Sequence, residues 1–182
     1  MHGPLTLHQV SPPPALPGVT TATLVSDNRP VLTVIHLPLT GDTYTAVAGG
    51  GARLNDRPLK VSAKTDLGAA LVGTGQAKPG EDKHTFRRIG ESVNAMLTDA
   101  LVVRVSVPAT MQLIHVAAGR MDVFWQFSDV RSGLVAGALL VSEAGGTVTD
   151  LAGEPWSTAG RDFLAAAPGL HTAAREVLSP IV

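Results

Sequence analysis

Val31-Leu32-Thr33-Val34-Ile35, broken from Thr43-Tyr44-Thr45-Ala46-Val47 by Thr40-Gly41-Asp42, is the stretch from which the fold is read. β-Branched residues crowd both flanks, and their stiff side chains suit a pleated, half-buried surface. The Thr-Gly-Asp break supplies a turn. A similar run, Thr21 to Ser26, lies just upstream, and Asp27-Asn28-Arg29-Pro30 separates it from Val31. Strands joined by such short turns pair antiparallel, so a meander is expected. Gly49-Gly50-Gly51 and Asn55-Asp56 then predict a further hairpin, running into a short strand from Leu59 to Ser62.

Upstream, Ser11-Pro12-Pro13-Pro14 and Pro17-Gly18 can continue neither a helix nor a central strand, so residues 1–18 are expected to be an extended leader. That segment has no Lys or Arg and no long apolar run, and does not read as a secretory signal. The remainder, 19–182, is expected to be one domain with a β-rich half over 19–75 and an α/β half over 76–182. Downstream, Phe86, Ile89, Val93, Met96 and Leu97 recur at helical spacing behind Glu81-Asp82-Lys83-His84, predicting an amphipathic helix. Leu101 to Val105 reads as a buried strand, Pro108 as the start of a helix that Gly119 ends, and Met121 to Phe127 as a strand. A helix over Ser132 to Ala144, strands at Thr147 to Thr149 and Phe163 to Ala166, and a helix near Thr172 to Leu178 complete a layered α/β reading. Gly73-Thr74-Gly75 and Gly49-Gly50-Gly51 lack the Lys-Ser/Thr of a phosphate loop and read as turns.

With 182 residues, 45% apolar and 16% charged, the chain can bury a core, and with 4% aromatics that core must be mostly Ala, Val and Leu. A net charge of −1 gives no electrostatic footprint for nucleic acid or for an anionic membrane, and neither partner is expected. No apolar run is long enough to span a bilayer. The absence of Cys excludes disulfides, thiolate metal sites and a Cys nucleophile, and a cytoplasmic location is the default expectation.

Three stretches go further. The segment Thr33 to Val47 with Gly51-Ala52-Arg53-Leu54-Asn55, the run Val116-Ala117-Ala118-Gly119-Arg120-Met121-Asp122-Val123-Phe124-Trp125, and Gly137 to Val141 with Glu143-Ala144-Gly145-Gly146, Thr149-Asp150-Leu151 and Gly153-Glu154-Pro155-Trp156 follow in order. In order and spacing they resemble the inositol monophosphatase family from about Val19 onward. The resemblance implies an α/β sandwich with α+β layering, here lacking the family's N-terminal helices, and a Mg²⁺-dependent phosphatase chemistry in intact members.

The same resemblance implies that this chain has lost that chemistry. The family holds Mg²⁺ with a Glu on an early segment and the Asp residues of a D-P-x-D-G-T motif, because hard cations need carboxylate oxygens. Here the first carboxylate is Asp27, and Ser11 to Pro17, which align with the motif, hold none. The W-D dipeptide that completes the metal site corresponds to Ser132 and Gly133, and the phosphate-binding G-S/T-A turn to Val107-Pro108-Ala109. The family's Asp three residues on corresponds to Gln112, and an acidic residue after the aromatic-Trp pair to Gln126. Asp122 and Glu143 match family positions explained by helix ends and packing. No metal and no cofactor are therefore expected.

The candidate catalytic residues are His36, His115 and Asp129, with Gln112, Gln126 and Arg131 as candidate substrate-binding residues. His36 stands for the family's Tyr at a strand end and His115 for a helix aromatic; either imidazole can serve as an acid or base, or simply pack. Asp129 and Arg131 flank Val130, either as a polar ligand site or as a surface ion pair. The helix residues Lys83, His84, Arg87 and Arg88 read as a solvated basic face. Three functions follow: a metal-independent cyclisation, isomerisation or elimination on a small molecule in bacterial specialised metabolism; a non-catalytic ligand-binding or partner protein; and a residual phosphatase, against which Gly133 speaks. Loss of the early helices should uncover a sheet face, so a homodimer is expected in either of the first two cases.

Overall fold

The computed structural model describes residues 6–10, 18–127 and 131–181. The first half is a six-stranded antiparallel meander of β1 (Thr6–Val10), β2 (Thr20–Ser26), β3 (Arg29–Leu37), β4 (Asp42–Val47), β5 (Gly51–Leu54) and β6 (Arg57–Pro58), paired in that order. Tight turns fix the register: Asp27 and Asn28 have φ of 49° and 60°, Asn55 and Asp56 of 44° and 67°, the left-handed pairs that two-residue hairpins demand. Thr6–Val10 lies inside the stretch read as a leader, yet forms the edge strand of this sheet against Thr21–Val25. The expected strand at Leu59–Ser62 is not one: the last strand is Arg57–Pro58, and Val61 instead donates its N–H to Ala144.

Alternation along the strands sends Thr21, Thr23, Val25, Thr33, Ile35, Tyr44, Ala46 and Ala52 to one face. There they meet α2 (Ala109–Ala117) and α3 (Arg131–Glu143), and a buried Thr23–Thr33 hydroxyl pair at 2.8 Å spans two strands. Gly137 lets these two helices close up, since a Cβ there would overlap Leu113. Glu143 ends α3 by accepting the N–H groups of Gly49 and Gly51 at 2.9 and 2.8 Å, the structural duty expected of it.

The other face of α2 and α3 covers a five-stranded mixed sheet, ordered β10 (Thr147–Thr149), β11 (Phe163–Ala166), β9 (Val123–Gln126), β7 (Leu71–Thr74), β8 (Val102–Val105). α1 (Lys83–Asp99) and α4 (Pro168–Leu178) close its far side over a second core around Val72, Met96, Val123, Trp125 and Leu170. Asp122 joins β9 to β7, accepting Lys64 Nζ at 2.9 Å and the Leu71 N–H at 2.7 Å. The layers therefore run sheet, helices, sheet, helices, the α/β sandwich expected, and among the described residues nothing covers the outer face of the first sheet. No helix among them is long and apolar enough to cross a membrane.

Four readings need correction. The strand at Leu101–Val105 is not buried: β8 is an edge, and Leu101, Val102 and Val105 are 67, 47 and 49% exposed. Phe86 and Leu97 likewise lie outside, while Thr85, Ser92 and Met96 form the buried line of α1. Gly73 and Thr74 belong to β7 rather than to a turn. Arg88 is not merely solvated either, for its Nε donates to the Ile181 carbonyl at 3.1 Å and its guanidinium lies 4.4 Å from the Phe127 ring centroid.

Candidate functional site

β7 pairs in parallel with β8 on one side and with β9 on the other. Parallel neighbours require crossover connections, here α1 between β7 and β8 and α2 between β8 and β9. The two helices lie on opposite faces of the sheet, so the chain leaves the neighbouring carboxyl ends of β7 and β8 toward opposite faces. Such a switch point opens a crevice beyond the carboxyl ends of the strands, where α/β folds bind ligands. Thr74 ends β7 there with Gly75 and Gln76 following it, Ser106 follows β8, Gln126 ends β9, and α2 begins after the cis peptide Val107-Pro108.

Two glutamines occupy the crevice floor. Gln112 on α2, 2% exposed, donates through Nε2 to the carbonyls of Thr74 at 2.9 Å and Ser106 at 2.7 Å. Gln126, 1% exposed, donates through Nε2 to the Gln76 carbonyl at 3.2 Å. Both Oε1 atoms are buried without a donor among the described residues. Each stands over a glycine: a Cβ on Gly73 would overlap Gln112 Oε1, and one on Gly75 would overlap Gln126 Oε1. Thr74 between them turns the other way, its Oγ1 donating to the Trp125 carbonyl at 2.8 Å. Sequence reasoning missed Gly73, Gly75 and Ser106, and the signal was present, for a Gly-x-Gly at a strand end marks a close approach of other atoms.

His115 follows Gln112 by three residues on α2, so the two share a side of the helix. Burial pushes its imidazole below the usual 6.5, and the positive charges of Arg120 and Arg104 push it further the same way. The ring is thus neutral at neutral pH, with one nitrogen free to accept a proton. His36 is placed elsewhere. It sits on the first sheet, on the face turned away from α3, with Nδ1 3.0 Å from Thr43 Oγ1. Asp129 lies outside the described residues, and Arg131 is described only as the first residue of α3. Gly133 contributes its carbonyl to Thr110 Oγ1 at 3.0 Å.

Hard cations such as Mg²⁺ take carboxylate oxygens. Among the described residues the crevice offers amides, hydroxyls and backbone groups, and no group of three or more His, Asp or Glu gathers anywhere as a metal cluster. These residues do not fit Mg²⁺.

A model described as the inositol monophosphatase family matches residues 18–181. The chain is 38% identical over 120 residues to an inositol-1-monophosphatase of Rhizobium meliloti, covering 66% of this chain and 44% of that protein. It is 35% identical over 147 residues to a putative Nus factor SuhB of Neisseria meningitidis serogroup B, covering 80% of this chain and 55% of that one. Among solved structures, the inositol monophosphatase of Anabaena superposes with a TM-score of 0.79 at 29% identity, over 91% of this chain and 65% of that one. The extragenic suppressor protein SuhB of Bartonella henselae does so at 0.80 and 28%, over 88% and 61%. The chain thus spans about half the length of these curated relatives.

Proposed function

This chain belongs to the inositol monophosphatase family, and from that premise we propose that it has exchanged Mg²⁺-dependent phosphatase chemistry for a metal-independent acid–base reaction on a small polar molecule. The observation that carries the reading is the pair of buried neutral amides, Gln112 and Gln126, at the switch point, where the family resemblance puts acidic residues. Gln112 Nε2 spends both its N–H groups on backbone carbonyls and Gln126 Nε2 spends one, so among the described residues two Oε1 acceptors and one N–H remain, suited to the hydroxyl or N–H groups of an uncharged ligand. The neutral imidazole of His115 supplies a base on the same side of α2. Cyclisation, isomerisation or elimination needs only such a base, a shaped site and hydrogen bonds. Asp129 and Arg131 belong to this proposal as further polar groups flanking Val130 in the sequence. His36, on the far face of the first sheet, would act only where another copy or segment completes a site around it.

The test is calorimetric titration with Mg²⁺ beside a phosphate-release assay on inositol and sugar phosphates. Silence in both is expected. Saturable Mg²⁺ heat accompanied by turnover would restore the phosphatase reading and overturn this one.

A second reading, a non-catalytic partner protein, draws on the uncovered outer face of the meander. Ala22, Leu24, Val34 and the exposed Leu32 and Val47 line the middle of that face, and Arg53, paired with Thr45, stands at its border. We propose that a second copy covers it face to face, since two such sheets stack at about 10 Å with aligned strands. With a net charge of −1, the chain fits a cytoplasmic protein that binds neither nucleic acid nor membrane.

A further inference from the structure

A second cleft lies at the other end of α3 from Gly133. It measures about 190 Å³, and its walls include Arg29 and Pro30 at the start of β3, Leu139 and Ser142 on α3, and Val148 and Trp156 beyond it. We propose that this cleft binds a small organic carboxylate with an apolar body.

The chemistry of the lining points to that class. Arg29 is the one charged side chain among the lining residues, and among the described residues it has no ion-pair partner. A guanidinium presents a planar fork that matches a carboxylate and stays charged at every working pH. Trp156 is 8% exposed, yet its Nε1 has no acceptor among the described residues. The charged donors that reach the cleft are thus those of Arg29, and a carboxylate brings acceptors alone. Pro30, Leu139 and Val148 are apolar, so they reward a ligand with a hydrocarbon or aromatic body over a bare inorganic anion.

The walls are also held in place. The left-handed Asp27-Asn28 turn delivers Arg29 directly into β3. Thr158 clamps that turn, its N–H on the Asn28 carbonyl at 3.1 Å and its Oγ1 on Asn28 Oδ1 at 3.3 Å. Trp156 stands edge-on to Phe163 with ring centroids 5.1 Å apart, and Gly160 approaches its Nε1 so closely that a Cβ there would lie 3.0 Å away. Three segments far apart in the chain, around residues 29, 139 and 156, are thereby fixed about one small space. A preformed site loses little freedom on binding.

The chain holds two tryptophans, Trp125 and Trp156, so a proton–nitrogen spectrum shows two indole signals, which Trp156→Phe assigns. Benzoate is the probe, benzamide its neutral counterpart and inorganic phosphate the bare anion. Benzoate is expected to shift the Trp156 signal in a saturable manner and to leave Trp125 in place. Benzamide and phosphate are expected to do neither at the same concentration. Arg29→Gln should weaken the benzoate response by about tenfold or more, since a hydrogen-bonded charge is lost. Ser142→Trp, at an exposed helix position, should block the cleft and abolish it. No shift with benzoate, an equal shift with benzamide, or an unchanged response in Arg29→Gln with native melting behaviour would each overturn the proposal.

Discussion

Gln112 Nε2 donates to the Thr74 carbonyl at 2.9 Å, so a side chain of α2 fastens the end of β7 where the parallel strands stop. The same amide reaches the Ser106 carbonyl beyond β8. One buried side chain therefore ties together two strand ends and the start of the helix between β8 and β9. The space it needs exists because residue 73 is glycine.

Gly73→Ala would drive a methyl group into Gln112 Oε1 and bring it 3.1 Å from the terminal methyl of Met121. A loss of about 1–3 kcal/mol is expected, read as a lower denaturant midpoint. In a Gln112→Ala background the added loss should shrink, because the overlapping oxygen is gone; a double-mutant cycle measures the coupling. Equal losses in both backgrounds would show that the strand, not the amide, resents the methyl.

Burial lowers the imidazoles of both His115 and His171 below their ordinary 6.5 in the folded chain. On acidification the unfolded chain therefore takes up protons before the folded one does. Their contribution is complete above 6.5 and is lost as pH falls through that value toward the folded ones. Urea melts at about pH 7.5 and about pH 5.5 should show lower stability at the acid end, and His115→Gln should flatten the slope. A slope unaltered in both His115→Gln and His171→Gln would assign it to other groups.

Glu143→Ala removes the acceptor for the N–H groups of Gly49 and Gly51. The expected cost is about 1–2 kcal/mol, since both donors lie near solvent and find water. Amide exchange at Gly49 and Gly51 should speed up more than exchange in the core of β7. Unchanged exchange at these two amides would mean that the turn holds without its clamp.

Leu32→Glu places a charge in the apolar middle of the meander's outer face, at a position already 40% exposed. Chromatography with light scattering should find dimers of the native chain and monomers of the variant, with melting temperature little changed. A native monomer at high concentration would remove the second-copy proposal.

Much of the fold is legible in local sequence. Thr147–Thr149 and Phe163–Ala166 form strands as read, and the helix over Ser132 to Ala144 is shifted by a single residue at each end. Local signals suffice there because capping, turn glycines and periodicity act within a few residues. The edge strand Thr6–Val10 carried no such signal against the prolines that follow it. At the site, Gln112 and Gln126 were identified from the family's motif order, and the structure sets them beside one strand. His36 and His115, chosen on the same grounds, fall on different sheets' surroundings, because equivalence in a motif does not ensure a shared cleft.

By itself the sequence determined the meander, the presence of turns at Asp27-Asn28 and Asn55-Asp56, and the lack of any carboxylate before Asp27, all of which are properties of neighbouring residues. Tertiary structure alone decided which apolar residues are buried, leaving Leu101 and Val105 outside on an edge while Val123 and Trp125 are sealed within. It also decided why residues 73 and 75 must be glycine, since the oxygens above them arrive from Gln112 and Gln126, far along the chain. Turn geometry is set by a residue's own backbone and side chain, whereas burial and steric room are set by whichever distant segments fold against it.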